Sequence, residues 1–246
     1  MSGHSKWSTI KRKKAATDSK RSKAFSKVLK EISVAVKENG PDPDSNPRLR
    51  VALSNAKGVN LPKENIERAI KKAGDKDSAS LAETTYEGYA PNGIAVFIEC
   101  TTDNINRTVS NIRALFTKHG GNLGTNGSLE FIFDRKGVFT IKAEGIDEDE
   151  FTLEAIDGGA EDVVKEDDIL MVYTSFEDFG NMQKKLEEIS IEPENAELQR
   201  IPNNTKNIKT ESAKKILKLI DLFEDDEDVQ NVYHNLEITE ELLSEM

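Results

Sequence analysis

Apolar and polar positions along the chain follow two regimes, helical spacing up to about residue 75 and an alternation of strand-like and helix-like runs after it. In the first regime Phe25, Val28, Leu29, Ile32 and Val36 recur in steps of three and four. At about 100° per residue they share a sector roughly 100° wide, which predicts an amphipathic helix. Lys20, Lys23, Lys27, Lys30 and Lys37 fall on its other side, with Arg21 near the apolar edge. Gly40-Pro41-Asp42-Pro43 ends this helix, because glycine suits the cap and proline cannot continue the turn. Asn46-Pro47 opens a second, carrying Leu49, Leu53 and Ala56 and stopped by Gly58. Pro62 opens a third with Ile66, Ala69, Ile70 and Ala73, closed by Gly74.

After the polar stretch Asp75 to Ser80 the spacing becomes that of strands. Runs at Tyr86 to Tyr89 and Ile94 to Cys100 precede a helix from Asp103 or Asn104 to His119, which Gly120-Gly121 caps, and a strand near Leu129 to Phe133. A second unit begins at Gly137 to Ala143. It continues with a helix at Asp147 to Asp157, strands at Asp162 to Glu166 and Ile169 to Thr174, a helix at Phe179 to Ile189 and a strand at Ala196 to Ile201. That β-α-β-β-α-β order is the ferredoxin-like plan. A helix at about Ser212 to Asp225 and a strand at Val229 to Asn235 cannot bury their faces alone, so they are expected to complete the first sheet. The fold class is therefore α+β: an N-terminal helical domain, then two ferredoxin-like α/β domains, the last inserted into the middle one. The expected boundaries are 1–78, 79–133 with 206–246, and 134–205.

Charge changes the picture. Residues 1–76 carry 19 Lys or Arg against 8 Asp or Glu, and residues 77–246 carry 15 against 37, so an overall net charge of −11 hides a basic leading end. The first thirty residues alone hold ten cations and one acid, Asp18. Like charges at that density repel, and a phosphate backbone is the usual counterpart. Trp7, the sole tryptophan, stands among His4, Lys6 and Lys11 with no apolar periodicity to claim it for a core. A flat ring beside cations suits stacking on a base or sugar. Lys6, Lys11, Arg12, Lys13, Lys14, Lys20, Arg21, Lys23 and Lys27 are the expected phosphate contacts, with His4 and Trp7 on bases or sugars and Arg48, Arg50 and Arg68 extending the surface. The second and third helices have the spacing of a helix-turn-helix, which would turn Lys63, Asn65, Arg68, Lys71 and Lys72 to a groove; a plain helical hairpin fits the same spacing.

Other chemistry is thin. His4, His119 and His234 lack zinc-ligand spacing, and Cys100 ends an apolar run as a buried strand thiol would. The stretch GGNLGTNGS lacks the lysine of a phosphate loop and precedes a strand, so a helix cap and turn explain it. The acid runs at residues 147–150 and 224–228 read as a helix N-terminus and solvated surface. No enzyme, cofactor, metal or small-molecule substrate is expected, and no run approaches the length of a membrane span. The absence of an apolar segment behind the basic start points to the cytoplasm.

The segments GHSKW, KRKKAATDSKRSKAFSK, DPDSNPRLR, NLPKENIERAI, YEGYAPNG, DNINRTVSNIR, GGNLGTNGS, GAEDV and DVQNVYHN occur in that order, and with them the chain resembles the YebC/PmpR family over essentially its whole length. The resemblance implies three domains and regulation of gene expression. Bacterial members of that family are described as probable transcriptional regulators that bind DNA; similar mitochondrial proteins act as translational activators, and bacterial relatives have been linked to ribosomes. The primary expectation is thus a non-enzymatic DNA-binding regulator using the basic N-terminal domain. A ribosome- or RNA-binding translation factor is the alternative, and a protein adaptor working through the acidic body is the third reading. Oligomeric state is not legible in the sequence.

Overall fold

The computed structural model describes residues 18–75 and 80–245, and in the first helix it describes side chains from Arg21 onward. These residues form two compact units: 18–75 with 135–199, and 80–134 with 200–245.

The first unit starts with α1 (Asp18–Asn39), α2 (Pro47–Gly58) and α3 (Lys63–Gly74). The predicted stripe is the buried one. Ile32, Ala35 and Val36 of α1 pack with Leu49, Ala52, Ala56, Leu61 and Ala73, while Phe25, Val28 and Leu29 lie partly buried at the margin. Gly40 closes α1 at φ +87°, a conformation that costs glycine nothing. Asn46 is fully buried and fully used: Oδ1 accepts from the Leu49 amide at 3.0 Å, and Nδ2 donates to the Ala35 and Gly40 carbonyls at 2.8 Å each. One side chain therefore caps α2 and ties it to the end of α1.

The same unit holds β4 (Phe133–Lys142), α5 (Glu148–Asp157), β5 (Ala160–Glu166), β6 (Ile169–Ser175), α6 (Phe179–Glu188) and β7 (Asn195–Pro202). Its sheet runs β5-β6-β4-β7, the 2-3-1-4 arrangement of a ferredoxin-like domain. Phe139, Ile141, Leu170 and Val172 of the sheet meet Phe151, Ala155, Met182 and Leu186 of the two helices. The helical part docks on this domain through α2. Asn55 uses its amide as a strand neighbour would, donating to the Ala196 carbonyl at 2.9 Å and accepting from the Ala196 amide at 2.8 Å. Lys57 pairs with Glu192 at 2.6 Å. Gly58 approaches so closely that a Cβ there would stand 1.7 Å from the Glu194 carbonyl oxygen. That contact, and not a left-handed cap, is what requires glycine; the left-handed residue of the turn is Asn60, φ 56°.

The second unit contains β1 (Ala82–Ala90), β2 (Ile94–Thr102), α4 (Ile105–Lys118), β3 (Asn122–Leu123), α7 (Thr210–Glu224), β8 (Val229–His234) and a short α8 (Glu240–Ser244). The sheet order is β3-β1-β2-β8 with antiparallel neighbours. The late strand thus joins the early ones, and the second α/β domain is inserted into the first. Asn92 and Gly93, both at positive φ, turn β1 into β2. β2 is buried on both faces, which accounts for the unbroken apolar run of IAVFIEC. Ile112 and Phe116 of α4 and Ile216, Leu219, Ile220 and Phe223 of α7 are buried with it, and the Phe116 and Phe223 rings lie 4.7 Å apart. Phe97 and Ala95 pack with Leu129, Phe133 and Tyr233.

The strand expected near Leu129 to Phe133 is replaced by a 3₁₀ turn at Glu130–Ile132, and the edge strand of the sheet is Asn122–Leu123. The cause is Glu87. Buried on β1 at 1 % exposure, its carboxylate accepts from the amides of Gly127 at 2.7 Å and Leu129 at 2.6 Å. Those amides are then unavailable to a strand partner.

Candidate nucleic-acid interface

Seven of the residues that the sequence assigns to phosphate or base contacts, His4, Lys6, Trp7, Lys11, Arg12, Lys13 and Lys14, lie outside the described residues. Lys20 sits on α1, and its side chain is outside them too. The rest are carried by the three helices.

On α1 Arg21 is exposed, its guanidinium 5.5 Å from the centre of the Phe25 ring. Lys23 and Lys27 are half-buried, as is Lys30 one turn on. Part of each of these long aliphatic stems is covered, as lysines beside an apolar stripe commonly are. Two of the three acids of α1 are already engaged: Arg48, on the first turn of α2, holds Glu31 at 2.8 Å through Nε and Glu38 at 2.9 Å through Nη1. Arg48 is thus committed within the protein, and it withdraws Glu31 and Glu38 from the cationic helix. Arg50 is exposed but donates to the Pro43 and Asp44 carbonyls at 2.7 and 3.0 Å, bracing the α1–α2 loop.

On α3 the exposed polar side chains are Lys63, Glu64, Glu67, Arg68, Lys71 and Lys72, and Asn65 is half-buried. Lys63 and Glu67 lie 3.7 Å apart along the helix, a solvated pair worth a few tenths of a kcal/mol. Arg68 and the Lys71-Lys72 pair share the outward surface one turn apart, with the lysines at the helix C-terminus, where the dipole also favours cations. The structure therefore gathers Arg68, Lys71 and Lys72 on one helix, and turns Arg48 and Arg50 toward partners inside the protein.

A second constellation escaped sequence reasoning. Asp228, 7 % exposed, accepts from Arg107 at 2.8 Å and from the Thr108 hydroxyl at 2.8 Å; Arg107 also holds Asp103 at 2.8 Å, and the Thr108 and Thr102 hydroxyl oxygens lie 2.9 Å apart. Burial pushes the Asp228 carboxyl up, but hydrogen bonds from Arg107, Thr108 and Thr102 and the guanidinium charge outweigh it and hold the group below the usual carboxylate range. The same carboxylates hold the Arg107 guanidinium above its ordinary value. This network pins the start of α4 to the turn before β8. Every polar atom of the Asp228 carboxylate is engaged within it. Among the described residues no group of three or more His, Cys, Asp or Glu is placed to hold a metal ion, and no helix is long and apolar enough to cross a membrane.

The fold and the helical surface together define a class: an α+β protein of three structural parts whose amino-terminal helices are rich in cations. A family profile described as the TACO1/YebC protein N-terminal domain matches residues 5–76, and one described as the TACO1/YebC second and third domain matches residues 81–236. The chain belongs to this family. It is 51% identical over 239 residues to a protein of Amoebophilus asiaticus named a probable transcriptional regulatory protein, covering 96% of this chain and 98% of that one. A protein of the same name from Geotalea uraniireducens is 49% identical over 247 residues, all of both chains. The crystal structure of a conserved hypothetical protein from Aquifex aeolicus matches with a TM-score of 0.84 at 45% identity, over 92% of this chain and 94% of that one.

Proposed function

We propose that the protein is a non-enzymatic regulator of gene expression that binds DNA through its amino-terminal helical domain. The observation that carries this reading is charge segregation: ten Lys or Arg against one acid in the first thirty residues, continued by the exposed Arg68, Lys71 and Lys72 of α3, while residues 77–246 are net −22. Relatives named probable transcriptional regulatory proteins support the coarse function. Lys6, Lys11, Arg12, Lys13, Lys14, Lys20, Arg21, Lys23 and Lys27 bind phosphates and position the protein, and Arg68, exposed on α3, reads base edges. Arg48 and Arg50 act indirectly, by fixing α2 and the loop before it. The domain boundaries are 1–78, 79–133 with 206–246, and 134–205, and residues 18–75 share one compact unit with 135–199.

The test is binding of the full-length protein to a duplex library followed by sequencing of the retained fraction. Enrichment of one sequence motif, weakened by Arg68→Ala, is expected. Retention without enrichment, unchanged by the substitution, would leave α3 with no reading role.

A second reading, binding of RNA on the ribosome, is favoured by Trp7 among cations, because stacking on unpaired bases is how proteins read RNA loops. Trp7→Ala should then weaken co-sedimentation with ribosomes while leaving duplex DNA binding unaltered.

A further inference from the structure

Helix α5 carries apolar residues on two faces. Phe151 and Ala155 enter the domain core and are 3 % and 1 % exposed. Leu153 and Ile156 lie one turn apart on the other side of the same helix and are 70 % and 58 % exposed. A lone exposed leucine is ordinary. Two large aliphatic side chains at i and i+3 form a stripe, the pattern by which helical surfaces meet partners.

The border of that stripe is acidic. Helix α5 bears Glu148, Asp149, Glu150, Glu154 and Asp157 and no Lys or Arg. Neighbouring elements bring two cations: Lys165 of β5 holds Glu148 at 2.8 Å, and Lys185 of α6 holds Glu154 at 3.2 Å and also Asp157. Asp149 and Glu150 remain exposed in the first turn, and Asp149 precedes Leu153 by four residues on the same face. Residues 135–199 together hold 6 Lys or Arg and 19 Asp or Glu, a net charge of −13. Such a field repels nucleic acid and anionic lipid, and it opposes a symmetric contact with a second copy, which would set like charges against each other.

We infer that the Leu153–Ile156 face of α5 docks a basic amphipathic segment of a partner protein, one that sets aliphatic side chains a helical turn apart between lysines or arginines. The aliphatic pair supplies the desolvated centre of the contact, and the carboxylates around it steer and select the cationic partner. The surface lies on an element other than the cationic amino-terminal helices, so it gives the molecule a protein-binding face besides its proposed nucleic-acid-binding one.

The test uses the full-length protein and a fluorescein-labelled synthetic helical peptide with leucines one turn apart among lysines. Its controls are the same peptide with serines for the leucines and a version with glutamates for the lysines. The wild type should bind the first peptide, and Leu153→Ser with Ile156→Ser should weaken that binding about tenfold or more without changing the melting temperature, since both residues are exposed. The serine and glutamate peptides should bind the wild type at least that much more weakly. Equal binding by the double variant, or equal binding of the serine peptide, would overturn the proposal by reducing it to diffuse charge attraction. Concentration-dependent self-association abolished by the double variant would assign the face to a second copy instead. Tighter peptide binding after Lys11, Arg12, Lys13 and Lys14 are all changed to Gln would assign it to the chain's own leading segment. Either result overturns the proposal.

Discussion

Single residues decide the joints of this protein. Asp228 is the clearest case, a buried carboxylate answered by a bidentate guanidinium and two hydroxyls. Asp228→Asn leaves Arg107 without its main counter-charge, and because Arg107 is itself 46% exposed the loss should be about 2–3 kcal/mol at neutral pH. The sign with pH follows from the direction of the shift. A carboxyl held low in the folded state contributes stability that is fully present above its unfolded value, about 3.9, and is lost as pH falls through the lower folded value. Denaturant midpoints of wild type and variant should therefore differ from neutral pH down to about 4 and converge in stronger acid. A gap that widens on acidification would refute this account. Gly58→Ala drives a methyl into the Glu194 carbonyl and should cost about 3 kcal/mol or more, read as a fall in melting temperature. If the alanine variant melts like wild type, the helical part does not sit on Glu194 as described.

At the scale of elements, the Gly-rich loop shows how one buried charge redirects a segment. Glu87→Gln keeps the shape but replaces one acceptor oxygen with a donor that faces either the Gly127 or the Leu129 amide, a loss of about 1–3 kcal/mol. Faster amide exchange confined to residues 122–129 is the expected signature, and a uniform change across the unit would mean that Glu87 serves general stability alone. Helix α3 makes a different prediction. Changing Arg68, Lys71 and Lys72 together to Gln should lower nucleic-acid affinity and reduce the slope of log affinity against log salt by about one for each phosphate contact removed. An unchanged slope would take α3 out of the interface.

For the whole molecule the governing property is polarity of charge. If six to ten phosphates are neutralised, affinity for nucleic acid should fall on the order of a thousandfold or more between low and moderate salt. An isotherm indifferent to salt would contradict electrostatic docking. The acidic part should keep nucleic acid away from the α/β domains, so crosslinks from a bound oligonucleotide should map to the amino-terminal helices and spare residues 135–199. Crosslinks concentrated on β5 or α5 would reverse the proposed orientation.

How much of this was readable in advance depended on the range of the interactions involved. Helix positions, the Asn46 cap, the Gly40 stop and the ferredoxin-like order follow from spacing and turn chemistry, which act over a few residues, and periodicity displays them directly. The return of α7 and β8 to the first sheet was legible because a lone helix and strand must bury their faces somewhere. The exchange of a strand for a turn at residues 130–132 was not, since it depends on Glu87 some forty positions earlier. Nor were the latch of Asn55 on Ala196, the close approach at Gly58, or the engagement of Arg48 by Glu31 and Glu38, because an arginine reads as a free cation until its neighbours are known. The sequence by itself determined the elements, their order and the segregation of charge, all properties of neighbouring residues or of plain counting. Only the tertiary structure decided which cations are spoken for, which glycine is a contact and which apolar pair on α5 is left facing solvent, because each is set by residues distant along the chain that meet only when it folds.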